Sequence, residues 1–177
     1  KANENRDYRI FEDFAFYMVN EARKKRINDI FKLNGNVYAF DSTTIDLCLK
    51  LFPWANFRTH KGGIKIHTLY DVETQVPAFI HITEAKINDV KAMDVIPYES
   101  GSFYVFDRAN DYHRLYKIHM MDSFFVVRAK TNIKAKVLKW KRRLPKNIQS
   151  DCEIELTGFC TQGSYPETIR LVRFWDE

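Results

Sequence analysis

The sequence is poor in cysteine, with only Cys48, Cys152 and Cys160 among 177 residues. An odd count without any Cys-x-x-Cys spacing argues against a disulfide framework and a structural zinc site, and it fits a reducing cytoplasm. The five histidines (His60, His67, His81, His113 and His119) show no zinc-ligand spacing with those cysteines. Long apolar runs are also missing. Phe124 to Val127 is among the longest, far too short to cross a bilayer, so no membrane association is expected. The N-terminus, Lys1 to Arg6, has neither an initiator Met nor an apolar signal region, and reads as the start of an internal fragment or a processed chain. Internal repeats and low-complexity tracts are absent, as is any acidic residue between Arg128 and Asp151.

What is present describes a folded chain. Hydrophobic residues make up 45% and aromatic residues 15%, which rules out a disordered polar polymer. The length suffices for one domain with a real core and a small insertion. A formal net charge of +5 permits a polyanionic partner without requiring one.

Two short runs echo each other. Val37-Tyr38-Ala39-Phe40-Asp41 precedes Ser42-Thr43-Thr44, and Phe103-Tyr104-Val105-Phe106-Asp107 precedes Arg108-Ala109-Asn110. Each is apolar, aromatic and of strand length, the pattern of a strand buried in the middle of an α/β sheet, and each stops on an aspartate. In such sheets the working residues gather in the crevice at the carboxyl ends of the strands. An aspartate there either caps the next turn or serves a shared site. Capping does not ask for a matched pair.

Around these runs the chain reads as alternating elements. Ile10, Phe11, Phe14, Tyr17, Met18, Ile27, Ile30 and Phe31 fall at helical spacing over residues 7–33, as one helix or two. Asn34-Gly35-Asn36 is a turn into the first strand. Thr44 to Phe52 reads as a short helix or turn, and Pro53 to Gly63 as a loop. Residues 63–83 read as a hairpin, so strands 37–41, 63–70 and 77–83 form an antiparallel meander. Asn88 caps a helix to about Ile96, with Asp89 as an acid of its first turn. Asp111 to Met120 is a helix, and Phe124 to Arg128 a further buried strand. The expected fold class is α/β: a mixed five-stranded sheet, its first three strands antiparallel, with helices on both faces.

After Arg128 the composition turns basic. Lys134, Lys136, Lys139, Trp140, Lys141, Arg142 and Arg143 lie in a segment whose alternation suggests strand, and Cys152 to Thr157 and Thr168 to Phe174 add two more strands. The segment is either a solvated basic hairpin or a surface for a phosphate backbone, with Trp140 as a stacking platform. Lys65 and His67 share one face of the hairpin, either as an ordinary polar face or as groups approaching a phosphate. Arg108 can contact phosphate or pair with Asp111, and Trp54 and Phe57 suit a core or a DNA-facing wedge. Two aspartates at adjacent strand ends are the minimum for holding hard divalent cations. Two such ions about 3.5–4 Å apart can clamp the attacking and leaving oxygens of a phosphoryl displacement.

Phe40-Asp41-Ser42-Thr43-Thr44, Lys61-Gly62-Gly63-Ile64-Lys65-Ile66-His67 and Phe106-Asp107-Arg108-Ala109-Asn110-Asp111-Tyr112 together resemble the DDE transposases of bacterial insertion sequences. The nearest group has an RNase H-like catalytic domain with a β-rich insertion. The resemblance covers the chain from the Arg6-Asp7-Tyr8 region to Trp175. It implies an N-terminal helical segment (1–36), the first part of a catalytic core (37–130) and the β-rich insertion (131–177). Asp41 and Asp107 match the first two catalytic, metal-binding aspartates, and the implied cofactor is Mg²⁺ or Mn²⁺, with two ions in the complete protein. Implied partners are double-stranded DNA, at element ends and target, and a second copy bound on DNA. The implied location is the bacterial cytoplasm, at the nucleoid.

The family's third carboxylate, a glutamate in a Tyr–Arg–Glu–Lys spacing, has no match. Glu177 precedes the place for that motif, and Glu84, Glu99 and Glu167 are poor substitutes. The expectation is therefore the core of a cut-and-paste transposase carrying two of three carboxylates, or a non-catalytic DNA-binding or regulatory fragment of it. A different RNase H-like nuclease, such as a resolvase, fits less well because of the basic β-rich insertion.

Overall fold

A computed structural model describes residues 6–24, 30–48, 56–58, 61–107 and 111–175. The chain opens with α1 (Arg9–Lys24), then β1 (Val37–Leu47), the short β2 (Asn56–Arg58), β3 (Lys61–Asp71) and β4 (Val76–Glu84). Helix α2 (Asp89–Ala92) continues into a 3-10 turn, Met93–Val95, before β5 (Phe103–Phe106), α3 (Tyr112–Met120) and β6 (Phe124–Val127). A second sheet follows, made of β7 (Ala135–Trp140), β8 (Ile148–Leu156) and, after the single turn α4 (Phe159–Gln162), β9 (Ile169–Phe174).

The main sheet is mixed. β3 lies between β1 and β4, antiparallel to both, while β5 and β6 extend the other side of β1 in parallel. Five strands thus run in the order β4-β3-β1-β5-β6, with β2 paired to the first residues of β3. The expected antiparallel meander followed by two parallel strands is what forms. Parallel strands inside a sheet demand apolar runs, and Tyr38, Phe40, Tyr104 and Phe106 supply them for β1 and β5. β6, expected as a buried strand, instead ends the sheet order and leaves Phe124 and Val126 more than half exposed. The rings of β1 and β5 lock the two strands: Tyr38 stacks on Tyr104 at 5.3 Å and Phe40 meets Phe106 at 5.8 Å between centroids.

Several boundaries differ from the sequence reading. The helical spacing of residues 7–33 forms helix over Arg9–Lys24, while residues 30–33 are irregular. β1 does not end at Asp41 but runs six residues further, and Thr44 to Leu47 are strand, not helix or turn. Those residues are held from one side only, paired to β3 from Ser42 opposite His67 to Leu47 opposite Gly62. Thr43, Thr44 and Ile45, all β-branched, suit that extension. β5 stops at Phe106, opposite Phe40, so among the described residues no strand pairs with β1 on that side from Asp41 onward. Asn56–Arg58, expected as loop, form β2. Trp54 and residues 49–53 lie outside the described residues, and nothing is described of the Phe57 side chain.

The core lies between the main sheet, the segment around Met93, helix α3 and the second sheet. Leu115 and Ile118 of α3 are essentially without exposure and share one cluster with Cys152, Ile154, Leu156 and Tyr165. Tyr165 is the hinge pin of this contact, with its hydroxyl 2.6 Å from His119 Nδ1 and its ring against Tyr116 and Phe125. At the N-terminal end of β1, Glu99 accepts hydrogen bonds from Tyr38 (2.8 Å), Asn36 (2.8 Å) and Arg23 (3.3 Å), fastening the last turn of α1 to the sheet. Burial with the Glu99 carboxylate beside it pushes the Tyr38 hydroxyl up to about 12. The apolar stripe of α1 itself stays exposed, Phe11, Phe14 and Tyr17 included. Among the described residues no helix is long and apolar enough to cross a membrane.

Candidate active site

The parallel register sets the site. Phe40 lies opposite Phe106, so the next residues, Asp41 and Asp107, leave neighbouring strands at the same level. Both line one cleft of about 150 Å³, together with Phe40, Ser42, Phe106 and, from the helix above, Asp89, Val90 and Met93. Its floor is apolar and its rim carries three carboxylates. Asp41 and Asp107 are exposed. Among the described residues no three His, Cys, Asp or Glu side chains form a ready-made cage for a metal ion. Two open carboxylates are nonetheless the donor set that suits Mg²⁺, which keeps several waters and takes one or two carboxylates plus substrate phosphates.

Asp89 was expected only as a first-turn acid, yet its neighbours make it part of the cleft. The N-cap role belongs to Asn88, whose side chain accepts from the Val90 amide at 3.1 Å. Asp89 Oδ1 accepts from Ser42 Oγ at 2.8 Å, pairs with Lys65 Nζ at 3.0 Å and faces His67 Nδ1 at 3.6 Å. Partial burial alone would raise the Asp89 carboxyl, but Ser42 and Lys65 more than offset this and hold it below the usual aspartate range. His67 is lowered too, which for an imidazole favours the neutral ring. Burial pushes it below its ordinary value, against the pull of Asp89.

Lys65 and His67 do share one face, as expected from alternation, but they are already engaged. The Lys65 ammonium also donates to Ile87 O at 2.8 Å. His67 is fully buried, stacked parallel to Phe40 with centroids 6.1 Å apart and its Nε2 2.9 Å from Thr83 Oγ1, so it lies behind the cleft lining, against Phe40 and Asp89. Arg108 lies outside the described residues, and Asp111 caps α3 by accepting from the Arg114 amide at 3.2 Å. Glu84, Glu99 and Glu167 do not line the cleft. Glu99 is committed to the opposite end of β1, and Glu84 pairs with Lys86 at 2.5 Å.

The basic residues gather on the second sheet. Lys136, Lys139 and Trp140 are exposed along β7, Lys134 precedes it, and Arg142 and Arg143 are exposed in the turn after it. Antiparallel pairing sets acids beside them, which a linear reading from Arg128 to Asp151 does not show. Lys136 lies opposite Glu155 and Lys139 opposite Glu153. Asp151 takes Arg170 in a two-pronged contact (2.9 and 2.6 Å) and Lys141 at 3.3 Å. Trp140, Phe174 and Trp175 remain more than half exposed.

The family model described as "Transposase DDE domain" matches residues 33–170. The chain is 36% identical over 103 residues to "Putative transposase y4zB" of Sinorhizobium fredii, covering 58% of this chain and 29% of that protein. It is 29% identical over 125 residues to "Probable transposase for insertion sequence element IS5377" of Geobacillus stearothermophilus, covering 66% of this chain and 32% of that protein. The chain spans about a third of the length of these curated relatives.

Proposed function

Because the chain belongs to the transposase DDE domain family, we propose that Asp41 and Asp107 are two of its catalytic carboxylates and together hold a divalent cation, Mg²⁺ or Mn²⁺. The observation that carries this reading is their common cleft at the level where β5 ends beside β1. When bound, the ion supplies an activated water and neutralises charge on a phosphodiester. The two aspartates orient it from adjacent strands, and the apolar floor of Phe40, Phe106 and Met93 fixes those strands. The substrate is double-stranded DNA. The whole protein hydrolyses the phosphodiester at an element's end, and the freed 3′ hydroxyl then attacks target DNA without a covalent enzyme intermediate. A second copy on DNA would bring two ends together.

For the phosphate backbone the supporting surface is β7 and its following turn, with Lys134, Lys136, Lys139, Arg142 and Arg143 exposed and Trp140 available for stacking. Lys141 contributes less, since Asp151 already holds it. Arg108 stays in the proposal on its sequence position alone.

A second reading, a catalytically incomplete DNA-binding or regulatory fragment, is favoured by one observation: none of the glutamates Glu84, Glu99 and Glu167 lines the cleft. The two readings part in one experiment. Mn²⁺ binding by this chain is measured by electron paramagnetic resonance, and cleavage of linear DNA is followed with Mg²⁺ or Mn²⁺, using Asp41→Ala and Asp107→Ala as controls. The expected result is weak Mn²⁺ binding lost in either variant, with no efficient cleavage by this chain alone. Equal Mn²⁺ binding in wild type and both variants would refute the assignment.

A further inference from the structure

We infer that Asp89 is a positioning residue for the Asp41–Asp107 pair, acting through Ser42; the inference rests on the reading of that pair as a divalent-cation site. Three groups from two adjacent strands converge on the single atom Oδ1 of Asp89: the Ser42 hydroxyl of β1 (2.8 Å), the Lys65 ammonium of β3 (3.0 Å) and the His67 ring of β3 (3.6 Å). Ser42 is the residue next to Asp41 and lies directly opposite His67 in the ladder. The latch therefore ties the first residue of α2 to the backbone that carries Asp41. It does so just past the last pair of the β1–β5 ladder, Phe40 with Phe106.

The ordinary roles of a first-turn acid do not account for this arrangement. Asn88 already caps the helix. A four-residue helix has little dipole for an acid to answer. Neutralising Lys65, whose side chain is only 14% exposed, explains one of the three contacts and leaves out Ser42. The His67 ring adds an independent sign. It is wholly buried, and its Nδ1 has no hydrogen-bond partner among the described residues, with the Asp89 carboxylate as the group it faces. Its other ring nitrogen, Nε2, lies 2.9 Å from Thr83 Oγ1, whose hydroxyl donates to Glu84 O at 3.2 Å.

Asp89 does not act as a third ligand in this scheme. Its Oδ1 already takes the Ser42 hydroxyl and the Lys65 ammonium, and no three carboxylates among the described residues form a metal cage. Groups that orient metal ligands without touching the ion typically carry 10–100-fold of the affinity.

The test is a double-mutant cycle on this chain with Mn²⁺ alone as the probe, read as the dissociation constant from electron paramagnetic resonance, with thermal unfolding as a parallel measurement. Ser42→Ala and Asp89→Asn should each weaken Mn²⁺ binding about 10-fold or more, and the double variant should be no weaker than the worse single one. Ser42→Ala should leave the unfolding midpoint close to wild type, which a merely structural role would not combine with lost affinity. If Asp89→Asn fails to fold, Ser42→Ala carries the test. A folded Ser42→Ala protein with wild-type affinity overturns the inference, as do independent, multiplying losses in the double variant. Loss in Asp89→Asn alone would make Asp89 a ligand and also overturn it. Absence of Mn²⁺ binding in the wild-type chain would instead sink the cation-site reading beneath it.

Discussion

Gly35→Ala is the substitution on which the geometry of β1 and β5 makes its sharpest demand. Gly35 sits in the turn before β1 at φ +153°, and a Cβ there would lie 2.0 Å from the Gly101 carbonyl oxygen and 3.0 Å from its carbon. No side-chain rearrangement relieves that contact, because the obstacle is backbone. The turn also holds the start of the parallel ladder, where the Phe103 amide donates to Asn36 O at 2.8 Å. A residue forced into glycine-only conformational space costs about 1–3 kcal/mol, and overpacking against a fixed wall adds about 1–3 kcal/mol. The expected loss is therefore about 2–6 kcal/mol, a large share of the 5–15 kcal/mol typical of a domain, and near 10 °C in melting temperature. Two other glycines calibrate it. Gly101 has φ +77° but open space around a Cβ, so Gly101→Ala should cost only the backbone share, about 1–2 kcal/mol. Gly163 has neither constraint, and Gly163→Ala should be neutral or slightly stabilising. Urea and thermal unfolding followed by circular dichroism would rank the three. A Gly35→Ala loss within about 0.5 kcal/mol of Gly163→Ala would refute the close approach of the two turns and the strand register built on it.

Three further outcomes are expected. Stability should fall on acidification in two stages. His67, held below its ordinary value by burial, contributes stability that is full above its unfolded value near 6.5 and is lost as pH falls through its folded one. Asp89 and Glu99, held below theirs despite burial by their hydrogen-bond donors, lose their share at still lower pH. A melting temperature that rises between about pH 7 and pH 5 would contradict this. Tyr165→Phe removes only the hydroxyl bonded to His119 and should cost about 1 kcal/mol, whereas Tyr165→Ala empties a site shared by both sheets and should cost about 3–5 kcal/mol; equal losses in chemical denaturation would show that the ring does not pack there. Asp151→Asn should release the charges of Arg170 and Lys141 and move elution from a heparin column to higher salt, while unchanged elution would place that face outside the polyanion-binding surface.

Elements whose signals are local can be read from residue order alone. Apolar, β-branched runs marked β1, β5 and β6, alternation marked the hairpin of β3 and β4, and Asn88 announced the helix that it caps. The two aspartates were legible for the same reason, each being the polar residue that ends such a run. Tertiary structure decided what depends on partners distant in the chain. β1 continues past Asp41 because β3 supplies hydrogen bonds there, a fact absent from residues 42–47 themselves. The basic stretch from Arg128 gains its acids only when β8 lies beside β7. Asp89 enters the cleft because α2 crosses above β1, and three side chains converge on one of its oxygens from positions 42, 65 and 67. Periodicity and capping act over a few residues and can be read from order alone, whereas register and side-chain convergence are settled by packing between elements.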